Sequence, residues 1–143
     1  MISSVSRIDD FMTRCPVVVA PRTTVTEAAR VLRENAIRHL PVVEGGALVG
    51  LVTDRDLHLV QSLVDVEPGT VTVGNVMEPD PFRVASGTPL HEVVSRMAAG
   101  KLGSAVVVDG AGVSGIFTTI DALRALGRML LGEPASPARD GEP

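Results

Sequence analysis

The chain has 143 residues, of which 45% are hydrophobic and 21% are charged, and its formal net charge at pH 7 is −4. This length is enough for a compact domain with a sizeable core, and the acidic balance argues against the basic face of a nucleic-acid-binding protein. No apolar run approaches the roughly 20 residues of a membrane-spanning helix, and the N-terminus does not resemble a signal peptide. We therefore expect a cytoplasmic protein that contacts neither membrane nor nucleic acid.

The residues that carry most catalytic and metal chemistry are few. The single cysteine, Cys15, cannot form an internal disulfide, and the three histidines are not spaced as metal ligands. No serine or cysteine nucleophile has a supporting histidine context, and no glycine-rich loop leads from a strand into a helix. We predict no catalytic residue, no metal site and no cofactor, and therefore a protein that is not an enzyme.

An internal repeat is the most informative feature of the sequence. Residues 8–56 and 73–121 align without a gap at an offset of 65. The alignment includes the motif Gly-Leu-Val-Thr-Asp-Arg-Asp at Gly50–Asp56 and its counterpart Gly-Ile-Phe-Thr-Thr-Ile-Asp at Gly115–Asp121. Two copies of one supersecondary unit explain this pattern. A single copy would be marginally stable, so we expect an α/β (α+β) fold in which the two copies pack as a pseudo-two-fold pair.

The hydrophobic pattern predicts the order β-α-β-β-α in each copy. In the first copy we predict a short leading helix at Arg7–Met12, a strand at Val17–Ala20, a helix with an apolar stripe, a hairpin of Leu40–Val43 with Leu48–Val52, and a second helix at Asp54–Val64. The apolar stripe consists of Val25, Ala28, Ala29, Leu32 and Ala36. The second copy repeats the hairpin and the last helix at Ala105–Val108, Val113–Phe117 and Ile120 to about Leu131. The domain boundaries that follow are 7–64 for the first repeat, 65–72 for a linker, 73–131 for the second repeat and 132–143 for a disordered tail.

Capping residues predict where the stripe-bearing helix of each copy begins and ends. Thr24 fits the N-cap position in the first copy, whereas Thr88 before Pro89 fits it in the second, so the two predictions differ by one residue. Asn35 aligns with Gly100, and both tolerate the left-handed conformation that ends a helix.

The tandem β-α-β-β-α unit, closed by Gly-apolar-apolar-Thr-x-x-Asp, resembles a pair of CBS domains, also called a Bateman module. The resemblance is strongest at Thr24–Ala28, Arg38–Val43 and Gly50–Leu57 in the first copy. It implies a stand-alone regulatory module that binds an adenine nucleotide such as AMP or ATP, or S-adenosylmethionine, in clefts between the copies. It also implies a homodimer.

The resemblance further implies which residues contact the ligand. The motif aspartates would bind the ribose hydroxyls, nearby threonines would contact ribose or phosphate, cations would bind phosphate, and apolar residues would line the adenine slot. These candidates are, in that order, Asp56 and Asp121, Thr53 and Thr118, Arg38, His39 and Arg55, and Val18, Val42 and Val107.

Each candidate also has an ordinary structural explanation. A threonine N-cap with an acid at the third helical position is a capping arrangement open to any helix. The basic residues fit a solvated edge, and the valines fit core packing.

The second copy has Gly103-Ser104 in place of Arg38-His39, and it also lacks the arginine of the first motif. We therefore rank Asp56 ahead of Asp121.

Together these features predict a homodimeric module that senses adenine nucleotides and passes the ligand state to an unknown regulated protein. The alternative is a dimerisation or interaction module with no physiological nucleotide, in which the motifs only cap helices. A third hypothesis is a subunit that regulates a separately encoded enzyme or transporter.

Overall fold

A computed structural model of the chain describes residues 6–14, 17–110, 112–132 and 139–140, and it confirms a mixed fold of helices and sheets. The helices are α1 (Val25–Asn35), α2 (Asp54–Gln61), α3 (Val73–Val76), α4 (Leu90–Gly100) and α5 (Thr119–Leu131), with 3-10 turns at Ile8–Asp10 and Pro68–Thr70. The strands are β1 (Thr13–Arg14), β2 (His39–Glu44), β3 (Ala47–Thr53), β4 (Glu78–Pro79), β5 (Arg83–Ala85), β6 (Ser104–Asp109), β7 (Gly112–Thr118) and β8 (Arg139–Asp140). The last strand lies in the predicted tail, most of which is outside the described residues.

The described residues form two compact units, each with its own sheet and hydrophobic core. One unit contains residues 6–14, 82–110, 112–132 and 139–140, and its strands have the order β5-β6-β7-β1-β8. The other contains residues 17–81, with the strand order β2-β3-β4. Each unit therefore combines the body of one repeat with the leading segment of the other repeat, where the leading segments are residues 6–14 and 73–79.

Short strands join each leading segment to the hairpin of its unit. β1 runs antiparallel to β7 with Arg14 opposite Gly115, and β4 runs antiparallel to β3 with Pro79 opposite Gly50. The offset of 65 relates these two pairings, so the repeats exchange their leading segments in the same way.

The glycine that opens each motif makes room for this exchanged segment. A Cβ atom at Gly115 would lie 2.6 Å from Met12 Sδ and 2.7 Å from the carbonyl oxygen of Thr13. A Cβ atom at Gly50 would overlap Met77 Sδ and lie 3.1 Å from the carbonyl oxygen of Glu78. Only glycine allows such a close approach. The motif glycines therefore have a packing role that is independent of any ligand.

The first strand of the first repeat differs from the prediction. Instead of a strand over Val17–Ala20, only Val19 forms an isolated bridge, to Val42. The counterpart β5 is longer because Ser86 donates its amide hydrogen to Val108. The residue that aligns with Ser86 is Pro21, which has no amide hydrogen, so the ladder ends early.

Two of the predicted helices are shorter than expected. The leading helix predicted at Arg7–Met12 is a single 3-10 turn at Ile8–Asp10. The helix predicted over Asp54–Val64 ends at Gln61. Ser62 follows it, and its hydroxyl donates to the carbonyl of Leu59 at 2.8 Å, a local bond that competes with continued helix.

Helices α1 and α4 begin at equivalent positions in the two repeats. Thr24 caps α1 as predicted, since its hydroxyl accepts the amide hydrogen of Glu27 at 3.1 Å. The prediction of Thr88 as the N-cap of α4 is wrong. Pro89 takes the N-cap position with an extended ψ of 137°, and the Thr88 hydroxyl donates to the carbonyl of Ala85.

In both helices the left-handed residue that ends the helix lies one position later than predicted, and it is not a glycine. Ala36 (φ 52°, ψ 44°) and Lys101 (φ 53°, ψ 44°) are the left-handed C-caps. For an L-residue with a Cβ atom this conformation costs roughly 1–2 kcal/mol.

Ala36→Gly is therefore expected to raise the free energy of unfolding by about 1 kcal/mol, measured by urea denaturation with circular dichroism. Ala99→Gly is the control, because Ala99 lies inside α4 and its replacement should lower the free energy of unfolding by about 1 kcal/mol. If both changes destabilise the protein to a similar extent, strain at Ala36 does not limit its stability.

Candidate functional site

The first motif lies where β3 leads into α2. The Thr53 hydroxyl accepts the amide hydrogen of Asp56 at 3.2 Å, and Asp56 Oδ2 accepts the amide hydrogen of Thr53 at 3.0 Å. These two bonds form a complete capping box. Asp56 is half-buried, and within the described part of the chain its Oδ1 receives no hydrogen bond. Capping therefore uses one oxygen of the Asp56 carboxylate and leaves the other oxygen available to a ligand.

The structure separates the basic candidates of the first repeat. His39 lies directly opposite Thr53 in the β2–β3 ladder and is half-buried. Arg38 is exposed and lines the groove between α1 and α2, next to Asp54. Arg38 lies at a bend before β2, whereas His39 is the first residue of that strand, so different local structures position the two side chains. Arg55 is exposed in the first turn of α2.

The second motif has the same capping box but a more occupied carboxylate. Asp121 Oδ2 accepts hydrogen bonds from the amide and the hydroxyl of Thr118, at 2.9 and 3.2 Å. Its Oδ1 accepts the hydroxyl hydrogen of Thr13 at 3.1 Å, and Arg124 Nη1 lies 3.7 Å from the same oxygen. Asp121 is only 6% exposed. Among the described residues, three donors therefore bind Asp121, whereas one binds Asp56.

Sequence reasoning did not identify Thr13 or its counterpart Glu78 as part of either site. Thr13 lies opposite Ile116 in β7, and Glu78 lies opposite Leu51 in β3, so the two residues occupy equivalent places. An ionised carboxylate has no hydrogen to donate, so Glu78 cannot bind Asp56 as Thr13 binds Asp121. The sequence does contain a sign of this difference: the matched methionines Met12 and Met77 are followed by threonine in the first repeat and by glutamate in the second.

The three valines proposed for the adenine slot differ in accessibility. Val42 and Val107 are fully buried and belong to the two cores. Val18 is 43% exposed. Core packing, the alternative left open by the sequence, therefore accounts for Val42 and Val107, and Val18 alone of the three presents surface to a ligand.

Among the described residues, no group of three histidine, cysteine, aspartate or glutamate side chains is arranged to hold a metal ion. None of the helices in this part of the chain combines the length and the apolar character needed to cross a membrane.

Comparison with known proteins gives two matches to one domain family. The family model of the CBS domain matches residues 8–61 and again residues 73–128. The chain is 34% identical over 122 residues to inosine-5′-monophosphate dehydrogenase of Korarchaeum cryptofilum, a match that covers 85% of this chain. The chain spans 24% of the length of that dehydrogenase and 46% of the length of another curated relative.

Solved structures of CBS-domain proteins resemble most of the chain. CBSX2, solved in complex with AMP, superposes with a TM-score of 0.73 at 29% identity, covering 86% of this chain and 97% of that one. The CBS domain pair of protein MJ0100, in complex with 5′-methylthioadenosine and S-adenosylmethionine, gives a TM-score of 0.74 at 25% identity and covers 87% and 98% of the two chains. This chain therefore belongs to the CBS domain family and contains two CBS domains in tandem.

Proposed function

We propose that the chain is a regulatory module that binds an adenosine-containing ligand, such as AMP, at the motif of the first repeat. The observation that carries the proposal is the state of Asp56, whose Oδ1 receives no hydrogen bond within the described residues. A ribose offers two neighbouring hydroxyl donors, and hydrogen bonds to a carboxylate are stronger than those between neutral groups. The Thr53–Asp56 motif can therefore cap α2 and bind a ribose at the same time.

Phosphate recognition would use the groups around the start of α2. The N-terminus of a helix favours an anion through its exposed amide groups and its dipole. His39, opposite Thr53 in the hairpin, and Arg55, in the first helical turn, are the cations that we assign to the phosphate. Arg38 lines a groove with Asp54 and would act only at longer range. Val18 is the exposed apolar residue that we assign to the adenine.

The ligands of the solved relatives support this class of ligand. AMP is bound by CBSX2, and 5′-methylthioadenosine with S-adenosylmethionine by the MJ0100 domain pair. Adenosine is the part that these molecules share, and its ribose carries the diol that suits Asp56.

We also propose that the module acts as a cytoplasmic homodimer without catalytic activity of its own, and that it passes the ligand state to a regulated protein. Binding would favour one conformation over another, and the shift is limited by the difference in ligand affinity between those conformations.

An interaction module without a nucleotide is the second candidate. The complete capping boxes at Thr53–Asp56 and Thr118–Asp121 favour it, because they explain both motifs without a ligand. In that case the motif aspartates would affect stability alone.

Asp56→Asn separates the two candidates. The amide oxygen of asparagine can still accept the Thr53 amide hydrogen, so the cap is retained, while the negative charge is lost. In calorimetric titrations with AMP, ADP, ATP and S-adenosylmethionine, we expect the affinity for the bound compound to fall about tenfold or more. The melting temperature should change little.

The matched control is Asp54→Asn. Asp54 is exposed in the same first turn of α2, so its replacement removes the same negative charge from the same end of the helix. Its affinity should stay within about twofold of the wild type, since it lies outside the capping box. Equal losses in both variants, or no binding of any adenosine compound at tens of micromolar, would favour the interaction module.

A further inference from the structure

We propose that Thr13 keeps the aspartate of the second repeat unavailable to the ligand, so that each chain binds one adenosine ligand, at Asp56. This inference rests on the proposed function and assigns Thr13 as the residue that determines which motif binds.

The Asp121 carboxylate already accepts hydrogen bonds on both of its oxygens. A ribose diol needs acceptor positions on the carboxylate that are not already used. Oδ2 of Asp121 accepts two hydrogens from Thr118, and Oδ1 accepts the hydroxyl hydrogen of Thr13 at 3.1 Å. Thr13 and Asp121 are 7% and 6% exposed, so water does not compete for this bond. Three of the roughly four acceptor positions of the carboxylate are therefore in use, and a ribose diol that donates both hydroxyls must displace the Thr13 hydroxyl.

The backbone of Thr13 is held in place by the strands on both sides of β1. β1 lies between β7 and β8 in the sheet, so both of its backbone edges are paired. The preceding residues Phe11 and Met12 are buried in the core of the same unit. If the side chain of Thr13 rotated away from Asp121, a buried hydroxyl would lose its partner, which is unfavourable.

The motif of the first repeat has a different residue at the place of Thr13. Glu78, at the place of Thr13, is exposed and lacks a hydrogen to donate when ionised, so nothing equivalent occupies Asp56. In the hairpin of the second repeat, Ser104 faces Thr118 where His39 faces Thr53, but Arg124 lies beside Asp121, so cations are present at both motifs. The occupied carboxylate is therefore the difference that weakens binding at Asp121.

A cavity beside the bond makes the arrangement testable. It has a volume of about 270 Å³, and Thr13, Asp121 and Arg128 are among the residues that line it. Removal of the Thr13 hydroxyl would leave Asp121 Oδ1 without its donor next to open space. The hydroxyl of a ligand can then take the vacated position.

The test is the stoichiometry of AMP binding to the full chain, measured by isothermal titration calorimetry. We expect one site in the wild type and two in Thr13→Ala, which removes the hydroxyl and leaves its position empty. Adding Asp121→Asn to Thr13→Ala should return the stoichiometry to one. Thr26→Ala, at an exposed position of α1, is the control and should keep one site.

Two AMP sites in the wild type, or one site in a folded Thr13→Ala protein, would overturn the inference and leave the proposed function intact. Absence of AMP binding in both proteins would contradict the proposed function as well. Amide NMR of the wild type gives an answer even if Thr13→Ala does not fold. AMP should shift the Thr53–Asp56 resonances and leave the Thr118–Asp121 resonances in place, whereas equal shifts at both motifs would refute a blocked second site.

Discussion

Gly115→Ala is expected to lower the free energy of unfolding by about 3 kcal/mol, the upper end of the cost of overpacking a core. The new Cβ atom would lie 2.7 Å from the carbonyl oxygen of Thr13, and that oxygen belongs to the paired strand β1. Relief would require β1 to move away from β7. Gly50→Ala should cost less, about 1 kcal/mol, because its worst overlap is with the flexible Met77 side chain.

Urea denaturation followed by circular dichroism measures both changes, since the chain has no tryptophan or tyrosine. Gly127→Ala is the control. Gly127 is exposed inside α5 with no atom within 4 Å of a Cβ position, so alanine there should stabilise the helix by about 1 kcal/mol. Equal effects at Gly50 and Gly115, or a tolerated Gly115→Ala, would contradict the close approach of the leading segment.

Charging the outer face of α5 is expected to convert the proposed homodimer into a monomer. Leu123, Leu126 and Leu130 recur at helical spacing and are 61%, 48% and 77% exposed. An exposed apolar stripe of this kind marks a protein contact, and the same stripe on a second copy is its complement about a two-fold axis. Leu123→Glu with Leu126→Glu would place like charges against each other and weaken the dimer about 100-fold or more.

Light scattering at high protein concentration should show the mass of two chains for the wild type and of one chain for the double variant. Val66→Glu is the control, because Val66 is an exposed valine outside α5 and its replacement should leave the dimer intact. A monomeric wild type would end the homodimer proposal. A dimer that survives both α5 substitutions would place the interface elsewhere.

The first-repeat site illustrates how much of the candidate site could be predicted from the sequence. The capping role of Thr53 and Asp56 followed from their spacing, and the structure has both bonds of the box. The ranking of Asp56 ahead of Asp121 rested on the missing cations of the second repeat. The different hydrogen bonding of the two carboxylates is a second, independent reason for it. That reason could not be predicted, because Thr13 and Asp121 are 108 residues apart in the chain.

Local chain preferences explain the smaller errors. Thr88 and Pro89 both suit the start of a helix, and sequence rules alone do not decide which becomes the cap. The Val17–Ala20 run has the composition of a strand, but the strand also needs a partner, and Pro21 removes an amide hydrogen where the second repeat uses one.

The sequence by itself determined the tandem repeat, the family, the order of most helices and strands, and the residue types at each motif. These follow from spacing along the chain, which reflects hydrophobic periodicity and local capping. Only the tertiary structure decided that the repeats exchange their leading segments, so that Met12 packs at Gly115 and Thr13 binds Asp121. Such contacts depend on which strand pairs with which, and that choice is made by the burial of whole segments far apart in the chain. The different hydrogen bonding of the two motif aspartates comes from the exchanged segments, which bring Thr13 to one motif and Glu78 to the other.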